Sequence, residues 1–163
     1  MTSTTRLVLS SQLRPHEATP CTHCRAVQPE DVTGLAQLML AAYRGTIDDD
    51  GETLEDAQRE IHKAFAGEYG RLLPSCSFVI QEKDALRSAC LVSWYEPTQT
   101  PLVVFLMTHP DAKRKGCART LLQTSMRALW SQGHTKLTLI VTKGNDPALA
   151  LYQSLGFVEE TAS

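Results

Sequence analysis

The stretch from Leu102 to Arg119 constrains this chain more than any other. An apolar run, Leu102-Val103-Val104-Phe105-Leu106-Met107, gives way to a turn at His109-Pro110-Asp111. Lys113-Arg114-Lys115-Gly116-Cys117-Ala118-Arg119 and an amphipathic segment follow. Near-continuous apolar sequence of this length reads as a central strand covered on both faces. The segment after it reads as a helix from Cys117 to Gln132, with Ala118, Leu121, Leu122, Met126 (or Ser125), Leu129 and Trp130 inward. A strand, a basic turn and a helix start in that order form a cradle for phosphate. The unpaired N–H groups of a helix's first turn point at an anion, and the macrodipole adds partial positive charge. Gly116 and the small Ala118 let backbone approach a ligand closely, and Lys113, Arg114, Lys115 and Arg119 surround them.

The rest of the chain supplies alternating elements around that unit. Arg25-Ala26-Val27 reads as a short strand, followed by a helix that Pro29 opens and Gly45 ends. Thr53 and Asp56 have the spacing of a capping box for a second helix carrying Leu54, Ala57, Ile61, Ala64 and Phe65 on one face. Tyr69 to Pro74 reads as loop. Strands at Ser77–Gln81, Leu86–Tyr95 and Leu102–Met107, joined by short turns, read as an antiparallel meander. Lys136 to Val141 reads as a strand parallel to the third of these, reached through the crossover helix. A short helix from Pro147 to Leu155, closed by Gly156, and a last strand at Phe157-Val158-Glu159 complete the pattern.

A chain of 163 residues suits one domain, placed over residues 21–163, with residues 1–20 as a disordered tail. The first sixteen residues hold Arg6, Arg14 and six Ser/Thr with no acid, a composition that an organelle transit peptide shares. A net charge of −2 argues against nucleic acid as the main partner. No apolar run approaches the length that crosses a bilayer, so no membrane partner is expected. Five cysteines, an odd number, suggest a reducing compartment and a cytoplasmic location rather than a disulfide framework. Cys21-Thr22-His23-Cys24 has no second pair to complete a four-ligand zinc site, so no metal is expected.

Two runs carry a family resemblance. His109-Pro110-Asp111-Ala112-Lys113-Arg114-Lys115-Gly116-Cys117-Ala118 resembles the acyl-CoA-binding motif of the GCN5-related N-acetyltransferases (GNAT), Arg/Gln-x-x-Gly-x-Gly/Ala between a strand and a helix. Asn145-Asp146-Pro147-Ala148-Leu149-Ala150-Leu151-Tyr152-Gln153-Ser154-Leu155-Gly156-Phe157 resembles the family's second signature, Asn-x-x-Ala-x-x-Leu-Tyr-x-x-x-Gly-Phe, at every fixed position. The likeness covers about residues 24 to 160. Lys113 stands where the family usually has Arg or Gln, and Arg114 where it frequently has Gly.

The resemblance implies an α/β fold of the GNAT acyltransferase type. Its mixed sheet has antiparallel N-terminal strands and splays between a parallel fourth and fifth strand. Acetyl-CoA, the acyl donor, would enter that gap. Its pyrophosphate would lie on Lys113, Arg114, Lys115, Gly116, Cys117, Ala118 and Arg119, and its pantetheine arm along Leu106, Met107 and Thr108. Asn145 and Ala148 would also line the cofactor site, and no metal takes part. The implied reaction is direct attack of a primary amine, on a small molecule or a peptide, on the thioester. Tyr152 is then the candidate catalytic residue that protonates the departing thiolate, and Glu82 and Glu96 are candidate bases acting through water. The acidic run from Asp48 to Glu52 falls where the family's acceptor-side loop lies and suits a cationic amine. The brief C-terminal strand suggests sheet pairing between two chains, hence a homodimer. A domain that binds acyl-CoA or a protein partner without catalysis is the alternative.

Overall fold

The structure, a computed structural model, describes residues 5–15 and 21–160. In chain order the elements are β1 (Arg6–Gln12), β2 (Cys24–Ala26), α1 (Val32–Tyr43), α2 (Leu54–Ala66), β3 (Arg71–Leu72) and β4 (Phe78–Glu82). They continue with β5 (Ala85–Tyr95), β6 (Thr100–Thr108), α3 (Cys117–Ser131), β7 (Lys136–Thr142), α4 (Asp146–Ser154) and β8 (Val158–Glu159). The strands form one mixed sheet in the order β2-β4-β5-β6-β7-β1-β8, with β3 beside β5. All neighbours are antiparallel except β6 and β7. β6 and β7 are the fourth and fifth strands of the expected pattern, once β1 and β3 are set aside.

Two helical layers sandwich the sheet. α1 and α2 bury Leu35, Leu38 and Ile61 against Val79, Leu91 and Met107 on one face. On the other face Leu121, Leu122 and Leu129 of α3 pack with Val92, Leu139 and Phe157. Helical spacing assigns α3's inward face correctly except at its end: Ser125 rather than Met126 is fully buried, and Trp130 is 38% exposed.

The Thr53–Asp56 capping box forms as the spacing predicts. The Thr53 hydroxyl accepts from Asp56 N–H at 3.2 Å, and Asp56 Oδ2 accepts from Thr53 N–H at 2.9 Å. Thr53→Ala is therefore expected to cost about 1 kcal/mol, seen in a melting curve as a Tm fall of about 2–4 °C.

Three expectations need correction. Residues 1–20 are not all tail, since Arg6–Gln12 form β1. Leu9 there is 3% exposed, and every residue of the strand has a partner on β7. Alternating Leu7, Leu9 and Ser11 turn one face of this strand inward, a period-2 signal too short to stand out among its polar neighbours. Arg71-Leu72 extend a loop into a two-residue strand against Ser93 and Trp94 of β5. Cys21 and Cys24 are joined as a disulfide, where unpaired cysteines were expected. The bend before β2 brings their Cα atoms to 5.6 Å, within bridging reach. Cys76, Cys90 and Cys117 are free. β8 finds its strand partner, β1, within the chain.

No described helix is long and apolar enough to cross a membrane.

Candidate functional site

The site begins with an irregularity in β6. Its pairing with β5 passes from Phe105↔Leu91 to Val103↔Val92, so Val104 is an extra residue, a bulge. Bulges bend a strand and increase its twist. The parallel pairing with β7 stops at the same place: Leu102↔Thr138 and Val103↔Leu139 are its register pairs. Beyond them the two strands part, leaving one edge of Leu106–Thr108 without a neighbour. His109 N–H donates to Arg87 O at 2.8 Å, toward β5. Backbone groups alternate along a strand, so Met107 also faces β5, while Leu106 and Thr108 offer N–H and C=O to the gap. Ser88 Oγ donates to Met107 O at 2.9 Å, which agrees.

Directly after β6 the chain makes the basic turn. A 3-10 turn at Pro110–Ala112 is capped by His109, whose Nδ1 accepts from Asp111 N–H at 3.1 Å. Lys113, Arg114 and Lys115 are exposed, and none forms an ion pair among the described residues. Arg114 has φ +67°, the left-handed backbone that glycine adopts at no steric cost, at the position where Gly is frequent in the motif. Gly116 precedes α3 with φ +78°, and a Cβ built there would meet nothing within 4 Å. Thr120 N–H reaches Gly116 O at 2.9 Å, but no backbone carbonyl among the described residues accepts from the N–H groups of Cys117, Ala118 or Arg119. The helix start thus keeps three backbone donors without a carbonyl partner among the described residues, next to an exposed glycine. Arg119 itself turns aside: its Nη2 donates to Ser154 Oγ at 2.7 Å and ties α3 to α4.

Helix α4 lines the other side. Asn145 caps it, with Oδ1 accepting from Ala148 N–H at 3.5 Å. Ala148 is half-buried in the apolar layer. Tyr152 is 8% exposed and stacks edge-on against Phe157, with ring centroids 5.9 Å apart. Its hydroxyl has no hydrogen-bond partner among the described residues. Burial first, then Cys90 and Asp48, pushes its pKa above the usual phenol value. The Cys90 thiol is itself pushed up to about 12 by burial, against a hydrogen bond from Ser125.

The loop between α1 and α2 reaches the end of β7. Thr142, the last residue of β7, donates its hydroxyl to Asp48 Oδ1 at 2.8 Å. Ile47 lies 3.5 Å from where a Cβ of Gly144 would sit. Asp49 fastens the loop by accepting from Gly45 and Gly51 N–H, which holds its carboxyl below the usual range. Tyr43 belongs to the same neighbourhood. Burial, then Asp48, Tyr152 and Glu52, pushes its pKa up.

The structure therefore puts Asp48, Thr142, Tyr43 and Tyr152 in one neighbourhood, sets the Lys113–Ala118 turn directly after Leu106 and Thr108, and ties α3 to α4 through Arg119. Glu82 and Glu96 do not converge on the gap. Glu82 sits in the β4–β5 hairpin near Arg87, and Glu96 in the β5–β6 turn, at the opposite end of β6 from the gap, accepting from Gln99. Tyr43 and Thr142 were missed, and no local pattern marks them: a helix-face tyrosine and a strand-end threonine gain meaning from the loop that crosses between them. A cleft of about 420 Å³ lined by Val27, Phe65, Arg71, Leu72 and Pro74 lies at the far edge, away from these groups. No group of three or more His, Cys, Asp or Glu suited to a metal occurs among the described residues.

The family model described as "Acetyltransferase (GNAT) family" matches residues 34–157. The [ribosomal protein bS18]-alanine N-acetyltransferase of Salmonella typhimurium is 44% identical over 52 residues, 32% of this chain and 35% of that protein. The match thus spans about a third of that relative's length. The crystal structure of the ribosomal-protein-S18-alanine N-acetyltransferase from Escherichia coli superposes with a TM-score of 0.67 at 21% identity, over 85% of this chain and 78% of that one. AAC(6')-Iy, solved with the bisubstrate analog CoA-S-monomethyl-acetylneamine, gives 0.61 at 14% identity over 86% and 92%.

Proposed function

The chain belongs to the GNAT acetyltransferase family, and on that ground we propose that it moves an acetyl group from acetyl-CoA to a primary amine by direct attack of the amine on the thioester. The observation that carries this reading is the gap between β6 and β7, which opens beside the free donors of α3. A linear arm with amides and a diphosphate at its end matches an unpaired strand edge followed by a helix start. Bound acetyl-CoA supplies the activated acetyl thioester.

This chain's residues do the rest. Leu106 and Thr108 hold the arm through their backbone groups. Lys113, Arg114 and Lys115, with the N–H groups of 117–119, neutralise the diphosphate. Tyr152 keeps its proton and directs it at the sulfur. Asp48, fixed by Thr142, attracts the cationic acceptor to the open end of the gap, where the ammonium gives one proton to water before the free amine attacks. Among acceptors, a protein amino terminus comes first to test, because the relatives are named for an alanine amine.

The decisive experiment pairs thermal stability with turnover. A ligand at 100 times its Kd stabilises by about 2.7 kcal/mol, so acetyl-CoA and CoA are expected to raise Tm while ATP does not. Thiol release with peptides and small amines then reads activity. No shift with either CoA species overturns the reading, and binding without turnover on any amine leaves a non-catalytic acyl-CoA-binding domain. Asp48→Asn is expected to raise KM for the amine about 10- to 100-fold, the 1.5–3 kcal/mol scale of a charged hydrogen bond, with kcat and the acetyl-CoA KM nearly unchanged.

A further inference from the structure

The strand that the sequence hides is also the one on which α4 leans. β1 lies between β7 and β8, and it contacts the segment carrying Tyr152 at both ends. Before α4, Lys143 N–H donates to Thr5 O at 2.8 Å. After α4, Ser11 Oγ donates to Leu155 O at 3.4 Å, and a Cβ on Gly156 would come within 3.2 Å of that same Oγ. Both register pairs of β8, Leu9↔Glu159 and Ser10↔Val158, are with β1, and Glu160 N–H donates to Val8 O at 2.8 Å. An ion pair from Lys136 to Glu160, 2.5 Å long, joins the first residue of β7 to the residue after β8, with β1 between them. β7 pairs with β6 only up to the bulge, so β1 is the neighbour it pairs with along its whole length.

We propose that β1 is a positioning strand for the candidate site: seated between β7 and β8, it fixes both ends of α4 and holds the Tyr152 hydroxyl at the mouth of the β6–β7 gap. The inference rests on the role given to Tyr152 above. The cofactor turn at Lys113–Ala118 belongs to β6 and α3, which β1 does not pair with; the two halves of the site share an apolar layer and the Arg119–Ser154 bond, but only the α4 half has backbone bonds to β1. Loosening β1 misplaces the proton donor and leaves the diphosphate cradle intact.

Proline variants of the full-length chain test this. Lys143 N–H to Thr5 O and Leu13 N–H to Thr135 O set the odd-numbered residues of β1 toward β7, and Glu160 N–H to Val8 O sets the even-numbered ones toward β8. Leu7→Pro removes a donor facing β7, and Val8→Pro one facing β8. We expect kcat to fall about 10²-fold, the scale of a 1 Å misplacement, with KM for acetyl-CoA and its thermal shift retained. Amide exchange in α4 speeds up while β5 stays protected. In a Tyr152→Phe background the same proline costs no further kcat, because both changes remove one contribution. A synthetic peptide of the Thr5–Arg14 sequence restores turnover to the proline variant.

Unchanged kcat, additive losses with Tyr152→Phe, or failure of the peptide each overturns the proposal. Should Leu7→Pro lack a cooperative melt, Val8→Pro is judged by the same criteria. Should the parent chain bind acetyl-CoA yet turn over no amine, the functional reading fails and amide exchange alone decides β1. Opening of α4 ahead of β5 upholds its positioning role, and simultaneous opening overturns it.

Discussion

Gly116→Trp abolishes stabilisation by acetyl-CoA while the protein still folds. The substitution is tolerated by the protein itself, because a Cβ at residue 116 meets no atom within 4 Å. A non-glycine residue at φ +78° costs about 1–2 kcal/mol, which lowers Tm by a few degrees and leaves a cooperative transition. The indole occupies the space over the first turn of α3 where the diphosphate would lie. Losing two charge-assisted hydrogen bonds at about 1.5–3 kcal/mol each weakens binding by about 10²- to 10⁴-fold. Isothermal titration of parent and variant with acetyl-CoA measures this directly. Equal affinity would place the ligand elsewhere.

Tyr152→Phe lowers kcat by about 10²- to 10⁴-fold, the usual contribution of a positioned acid or base, and leaves KM for acetyl-CoA near the parent value. The ring still packs on Phe157, so the loss isolates the hydroxyl. Because burial raises the Tyr152 pKa above its ordinary value near 10, the phenol stays protonated through the neutral range. The kcat profile of the parent accordingly carries no limb from Tyr152 between about pH 6 and 9, and the variant's profile is lower with the same shape. Rapid-quench turnover at saturating substrates is the measurement, and an unreduced kcat removes Tyr152 from the chemistry.

The same shift predicts alkaline instability. Tyr43 and Tyr152 both bind their protons more tightly folded than unfolded. Above the unfolded phenol value of about 10 the unfolded chain carries fewer protons, so stability declines as pH rises from there. Urea denaturation at stepped pH, with Tyr43→Phe and Tyr152→Phe as references, measures a slope that flattens in each variant.

What the sequence reveals follows from how local each signal is. The Thr53–Asp56 box, the proline-opened helices and the strand–turn–helix from Leu102 to Ala118 depend on neighbours within a few residues, and these match the structure. The parallel partnership of β6 and β7 is equally readable, because a strand–helix–strand unit has one favoured hand. The bulge at Val104 is not readable. Whether an apolar run carries an extra residue depends on the register of β5, which no pattern in β6 records. Asp48 illustrates a middle case: its charge is visible in the sequence, but its bond to Thr142 joins segments far apart in the chain. β1 is the extreme, since its meaning as a strand comes from β7 and β8 at the opposite end.

That distance also orders events during synthesis. Arg6 pairs with Thr142 and Gln12 with Lys136, so β1 leaves the ribosome long before its partner exists. At about 5–20 residues per second the wait is on the order of ten seconds. Through that interval Leu7, Val8 and Leu9 form an extended apolar segment with no sheet to join, a template for pairing between nascent chains. Closing so long a loop costs entropy that short-range contacts do not, so docking of β1 belongs late in folding. The last piece to reach the sheet is then the one beside Tyr152, and in a newly made chain the basic turn at Lys113–Ala118 takes shape before Tyr152 is set.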